Sequence, residues 1–138
     1  MTADSQVTQG SPAWFEMVGE IMSEAAEKAM LQPNQRVSLV ERYTDGEKLG
    51  GGFVQGFRFD IIGGRPSYRV GVRPEERGDI TIEVSSRAAR ELNHMPAAAS
   101  AIARETYLRT GEMRQEGDPS KLGDWFGHVH QSIVDRTK

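Results

Sequence analysis

The run "LGGGFVQGFRFDIIGG", residues 49–64, places three consecutive glycines ahead of a string of aromatic residues. Glycines grip a phosphate when fixed offsets let backbone N–H groups converge, as in G-x-G-x-x-G or G-x-x-x-x-G-K-[ST]. Neither pattern is present, because the position that would hold a third glycine is Gln55 and Lys48 comes before the glycines. The histidines are the next candidates. His128 and His130 are two residues apart, so on a helix they point to different faces, whereas a shared metal needs the i, i+4 spacing. His94, beside Met95 and Pro96, falls in a turn; a histidine there could act as acid or base, but no partner is identifiable. No G-x-S-x-G run supplies a nucleophile elbow, and Ser85, Ser86 and Ser120 read as helix-start residues. The chain has no cysteine, which excludes disulfides, thiolate metal sites and cysteine nucleophiles. These residue types at these spacings assemble no catalytic or metal-binding constellation, and no catalytic residue, metal or cofactor is expected.

Two polar residues stand out by position. Alternation places Gln55 between Phe53 and Phe57 on an apolar strand face, where a buried amide must find partners in backbone, water or ligand, unless the start of the strand is exposed or bulged near Gly52 and Gly56, the reading slightly favoured. Glu41 shares a face with Leu39 and Tyr43. Burying an unpartnered carboxylate is costly, so the expectation is that this strand projects past the core and leaves Glu41 in solvent.

The elements that must position these residues follow from length and periodicity. A chain of 138 residues suits one domain, which can bury roughly 68% of its unfolded surface. With 17 basic and 20 acidic residues the formal charge is −3, too balanced for the basic stripe that nucleic acid requires. The first ten residues lack an apolar run and a positive leader, and nowhere do 18 apolar residues follow one another. The reading is a disordered tail over 1–10 and a single domain over 11–138, in a soluble cytoplasmic protein without stable membrane insertion.

Within that domain, Ser11-Pro12 opens a helix expected over 12–31, carrying Trp14, Val18, Ile21 and Ala25 at helical spacing. Alternation then marks strands around 37–43, 53–61, 68–72 and 80–84, joined by Asp45-Gly46, Gly63-Gly64 and Arg77-Gly78. None of these links is long enough for a crossover helix, so a meander is the simplest topology. Helices follow over 87–93 and from Pro96 to about 109, and Asp118-Pro119 opens a closing stripe through Leu122, Trp125, Val129 and Ile133. The fold class is α+β: a mainly antiparallel sheet of about five strands covered on one face by helices.

Two runs add a resemblance. In "GDITIEVSSRAARELN", residues 78–93, Asp79, Ile80, Thr81, Ile82, Val84 and Ser85 fit D-[VIC]-T-[IL]-x-[VM]-[SA]. In "ETYLRTGEMRQEGDPSKLGDW", residues 105–125, Tyr107, Gly111, Met113, Gly117 and Asp118 fit the strand that closes the same family's sheet. The chain resembles the sterol carrier protein type 2 family over about residues 12–136. It departs from that pattern at Tyr68, where tryptophan is common, and at Gln115, where an apolar residue is usual.

The resemblance implies a non-enzymatic, SCP-2-like fold enclosing an apolar tunnel for a fatty acid, a sterol-like molecule or an acyl-CoA ester. Alternation then places Phe53, Phe57, Phe59, Tyr68, Val70, Ile82, Ile102, Leu108, Met113 and Trp125 on the ligand, with Gln55 and Gln115 at a headgroup. Two other classes stay open. One is a protein-interaction module, a chaperone-like homodimer with a filled core. The other is a small isomerase- or hydratase-type enzyme, for which Glu41 and His94 are the only candidates.

Overall fold

The computed structural model describes residues 6–138. Helix α1 (Pro12–Lys28) begins where the Ser11 hydroxyl accepts a hydrogen bond from the Trp14 N–H at 3.2 Å and Pro12 takes the first helical position. Its apolar stripe of Trp14, Phe15, Val18, Met22 and Ala26 is buried against the sheet and the C-terminal helices. It ends three residues before the expected boundary, at a turn in which Met30 adopts a left-handed conformation with φ 55°.

Six strands form one mixed sheet: β1 (Arg36–Tyr43), β2 (Lys48–Gly50), β3 (Phe53–Ile62), β4 (Arg65–Val72), β5 (Ile80–Val84) and β6 (Met113–Glu116). The main order is β4-β3-β1-β5-β6, with the short β2 paired to the start of β3. The sheet is not a meander. β1 pairs antiparallel with β3 but parallel with β5, so the link over residues 73–79 crosses two strands without a helix. It passes across the polar face of the sheet. There Glu76 accepts hydrogen bonds from Arg58 at 3.0 Å and Arg69 at 2.7 Å, and Arg42 pairs with Glu83. Val40, Val72 and Thr81 are buried on that side, which a simple two-layer reading leaves in solvent.

The apolar face carries Val37, Leu39, Tyr43, Phe57, Phe59, Ile61, Ile80, Ile82 and Val84, all part of one core cluster. Alternation fails at one place. Val54 pairs with Val72 and Phe57 with Val70, so β3 holds one extra residue there, a β-bulge. An odd residue reverses the side on which everything before it points. Phe53 therefore lies under the guanidinium groups of Arg69 and Arg73, 5.2 Å and 4.8 Å from its ring centre, rather than beside Phe57. Gly56 sits in the bulge, and a Cβ there would stand 2.3 Å from the Glu41 carbonyl oxygen.

Helix α2 (Ser86–Leu92) is capped by the Ser85 hydroxyl, which accepts from the Ala88 N–H at 3.1 Å. Helix α3 (Ala97–Thr110) stops at Gly111, φ 86°. The closing stripe is not one helix: two 3₁₀ turns, Pro119–Leu122 and Asp124–His128, precede α4 (His130–Asp135). Gly123, at φ 121°, breaks the run, and the Trp125 indole N–H donates to the Leu122 carbonyl at 2.7 Å across the break.

At the other end of the chain, the Val7 N–H donates to the Arg136 carbonyl at 2.8 Å and the Lys138 N–H to that of Val7 at 2.9 Å. Residues 6–10 are thus seated on the C-terminus, unlike the expected disordered tail, whose residues 1–5 lie outside the described residues.

Candidate functional site

Between the apolar sheet face and the helices lies a pocket of about 370 Å³. α1 contributes Trp14, Phe15, Val18 and Met22; the sheet contributes Leu39, Phe57, Ile82, Val84 and Met113. Ala89 and Leu92 of α2 close one side, and Phe126, Val129 and Ile133 another. The wall formed by α3 is made of small residues, Ala97, Ser100 and Ala101, followed by Arg104. Most of α3 is exposed, and among its residues only Ser100 is fully buried.

One acid faces this space. Glu41 does not project past the core: the parallel pairing of β1 with β5 carries it into the middle of the sheet, opposite Ile82 and Phe57. Glu41 is half-buried, and part of the surface it retains lines the pocket. Its carboxyl has no hydrogen-bond or ion-pair partner among the described residues. That burial pushes the carboxyl above the ordinary 4.5, and the Arg104 guanidinium pulls it part of the way back. The Glu41 charge reaches further: the Tyr43 phenol, raised first by burial and then by Glu41, is steadied by the Gln9 amide, which donates to it at 2.7 Å.

Arg104 is the cation of the pocket wall, and its guanidinium donates to the Gln115 side-chain oxygen at 2.7 Å. Gln115 therefore does not contact the pocket itself but holds the residue that does. His130 also lines the wall, with Nε2 2.8 Å from the Met95 carbonyl oxygen. His94 is exposed and bonded to the Arg90 carbonyl, and His128 is exposed.

Of the twelve residues expected at a ligand, Phe57, Ile82 and Met113 line the pocket. Phe59 and Trp125 are buried against each other, their ring centres 5.7 Å apart. Tyr68 packs over Gly19 of α1, and Val70 is a partly buried neighbour of the core. Ile102 and Leu108 point outward from α3 and are 69% and 41% exposed. The side of α3 that lines the pocket carries Ala97, Ser100, Ala101 and Arg104 instead. Phe53 lies on the polar face, beyond the bulge. Gln55 is satisfied by backbone: its amide donates to the Gly10 carbonyl at 2.7 Å and accepts from the Glu47 N–H at 3.2 Å. The unexpected members are Glu41, Arg104, His130 and the α1 aromatics. Only the inward register of Glu41 beside Leu39 had signalled any of them.

No family model matches the sequence, and no curated protein matches it. Among solved structures, the crystal structure of sterol carrier protein 2 aligns with a TM-score of 0.55 at 14% identity, over 93% of this chain and 98% of that one. A double mutant of the sec-alkyl sulfatase PisA1 aligns with a TM-score of 0.50 at 21% identity, over 81% of this chain; the chain spans 16% of that enzyme's length. A solution structure from Thermus thermophilus, described as possibly a sterol carrier protein, gives 0.45 at 16% identity, over 94% of this chain and 88% of that one. The alignment with sterol carrier protein 2 over nearly the whole of both chains shows that this chain has the same fold.

Proposed function

We propose that the protein binds an apolar small molecule in the pocket between sheet and helices and carries it in the cytoplasm. The observation that supports this reading is the pocket itself, whose volume of about 370 Å³ falls inside the range of ligand sites, about 300–1,000 Å³. Aromatic and aliphatic side chains from α1, the sheet, α2 and α4 line it, so a ligand there buries apolar surface against them. Each methylene taken out of water contributes about 0.8 kcal/mol, which makes chain length rather than specific contacts the main source of affinity. A fatty acid, a sterol-like molecule or an acyl ester would fit that description, and a structural neighbour with the same fold is named for carrying sterols. No helix among the described residues is long and apolar enough to cross a membrane, so a ligand exchanged with a bilayer would be picked up at its surface.

The test is native mass spectrometry of the purified protein, followed by solvent extraction and titration with a fluorescent fatty acid. A near-stoichiometric apolar molecule, or saturable probe binding, supports the reading. An empty protein that does not bind the probe removes it.

Self-association through α3 is the second reading we propose. Ile102 and Leu108 stand exposed on α3, about 120° apart around the helix, and a homodimer that grips this helix would cover them. Light scattering on the protein and on Ile102→Ser/Leu108→Ser decides this, since a dimer through α3 dissociates in the variant.

A further inference from the structure

We infer that Glu41, which lines the apolar pocket and accepts no hydrogen bond from the described residues, selects ligands whose polar end donates a hydrogen bond or a positive charge, an alcohol or an amine, over those ending in a carboxylate. The inference rests on the ligand-binding reading above and specifies the chemistry of the same site.

The argument begins with the accounting of polar groups. Glu41 is half-buried with part of its remaining surface on the pocket, and no described residue donates a hydrogen bond to its carboxyl; an acceptor so placed gains when an incoming group donates to it. Its neighbours across the strands are Ile82 and Phe57, whose side chains cannot donate to it. The oxygens therefore present their acceptor capacity to whatever occupies the pocket. An alcohol hydroxyl donates one bond to them. An alkylammonium donates and adds an ion pair in surroundings where water screens little.

A carboxylate ligand meets the opposite conditions. Two carboxyl groups side by side in one apolar pocket repel, so one is pushed towards its protonated form, at a cost that grows as pH rises. Arg104 offsets part of this, but its guanidinium already donates to Gln115 at 2.7 Å and already faces the Glu41 charge. One cation shared between two anions leaves one of them under-compensated. His130, the remaining titratable residue of the wall, has its Nε2 engaged with the Met95 carbonyl.

The test compares three ligands of equal chain length, 1-decanol, decylamine and decanoate, by isothermal titration calorimetry at neutral pH on wild type, Glu41→Leu and Glu41→Gln. On wild type, decylamine and decanol should bind about tenfold more tightly than decanoate, the worth of one hydrogen bond to a charged group. In Glu41→Leu the three should converge to within about threefold, because chain burial alone remains. Glu41→Gln, nearly isosteric, should keep the preference for decanol and lose that for decylamine. Decanoate binding as tightly as the others to wild type overturns the inference and leaves apolar-ligand binding standing. An unchanged order in Glu41→Leu also overturns it. Absence of binding by all three overturns both readings.

Discussion

The Trp14 indole N–H donates to the Thr137 hydroxyl at 2.8 Å, and the same hydroxyl donates to the Ile133 carbonyl at 2.6 Å. One side chain near the end of the sequence thus fixes a pocket-lining aromatic of the first helix and completes the last helix. Both bonds are buried. Replacing Thr137 with valine keeps the volume but leaves the indole N–H without an acceptor, which should cost about 1–3 kcal/mol. Urea unfolding measures it; a loss below about 0.5 kcal/mol, the range of an ordinary surface substitution, would mean that water replaces the hydroxyl.

The Glu41 carboxyl gives stability a definite pH dependence. Because burial raises its folded-state value above 4.5, its favourable contribution is complete below that value and is lost as pH rises through the raised one. Glu41→Gln should therefore melt close to wild type in acid and become progressively the more stable protein as pH rises to neutrality. A constant difference across the scan would place the carboxyl in contact with water.

Gly19 and Tyr68 test the packing of α1 on β4. A Cβ on Gly19 would lie 2.4 Å from the Tyr68 ring. Helix propensity favours alanine over glycine by about 1 kcal/mol, whereas overpacking costs about 1–3 kcal/mol, so Gly19→Ala should be destabilising on balance. In a Tyr68→Ala background the clash is gone, and the same substitution should become stabilising. If its sign is the same in both backgrounds, the ring is not what excludes the methyl group.

On the polar face, Glu76 is the hub of the link over residues 73–79. Burial pushes its carboxyl up, but hydrogen bonds from the Arg69 side chain, the Arg73 backbone and the Arg58 side chain outweigh it and hold it at about 2. The contribution to stability is therefore present above 4.5 and lost as pH falls towards 2. Glu76→Gln should cost most near neutrality, with the difference from wild type shrinking in acid. Thermal melts of the two proteins across that range decide it.

Much of the fold is legible because period and punctuation agree. Ser11-Pro12, the alternation through Leu39, Phe59 and Ile82, and the Gly63-Gly64 turn each state a local rule that the structure obeys. The topology is not local. The parallel pairing of β1 with β5 is a long-range choice, and the seven residues linking β4 to β5 show no pattern that tells a crossing from a hairpin. The site inherits that gap: Glu41 is an odd residue on an edge if β1 ends the sheet, and the centre of a pocket wall once β5 lies beside it. The bulge at Gly56 misplaces Phe53 for a similar reason, since one inserted residue reverses alternation without altering composition. On α3, whose residues are mostly exposed, the apolar pattern is too weak to mark an inner face, and the pocket side carries Ala97, Ser100, Ala101 and Arg104.

The strands that end the sheet carry one more consequence. β6 is four residues long, Met113–Glu116, and alternates charged or polar groups after its first residue; β4 holds Pro66, which has no N–H to offer. A strand from another molecule would find no long, flat ladder of free donors and acceptors at either margin. Concentrated solutions of this protein should accordingly resist the edge-to-edge stacking that begins fibril growth, even though the sheet's interior strands, freed by unfolding, are aromatic and β-branched enough to support it.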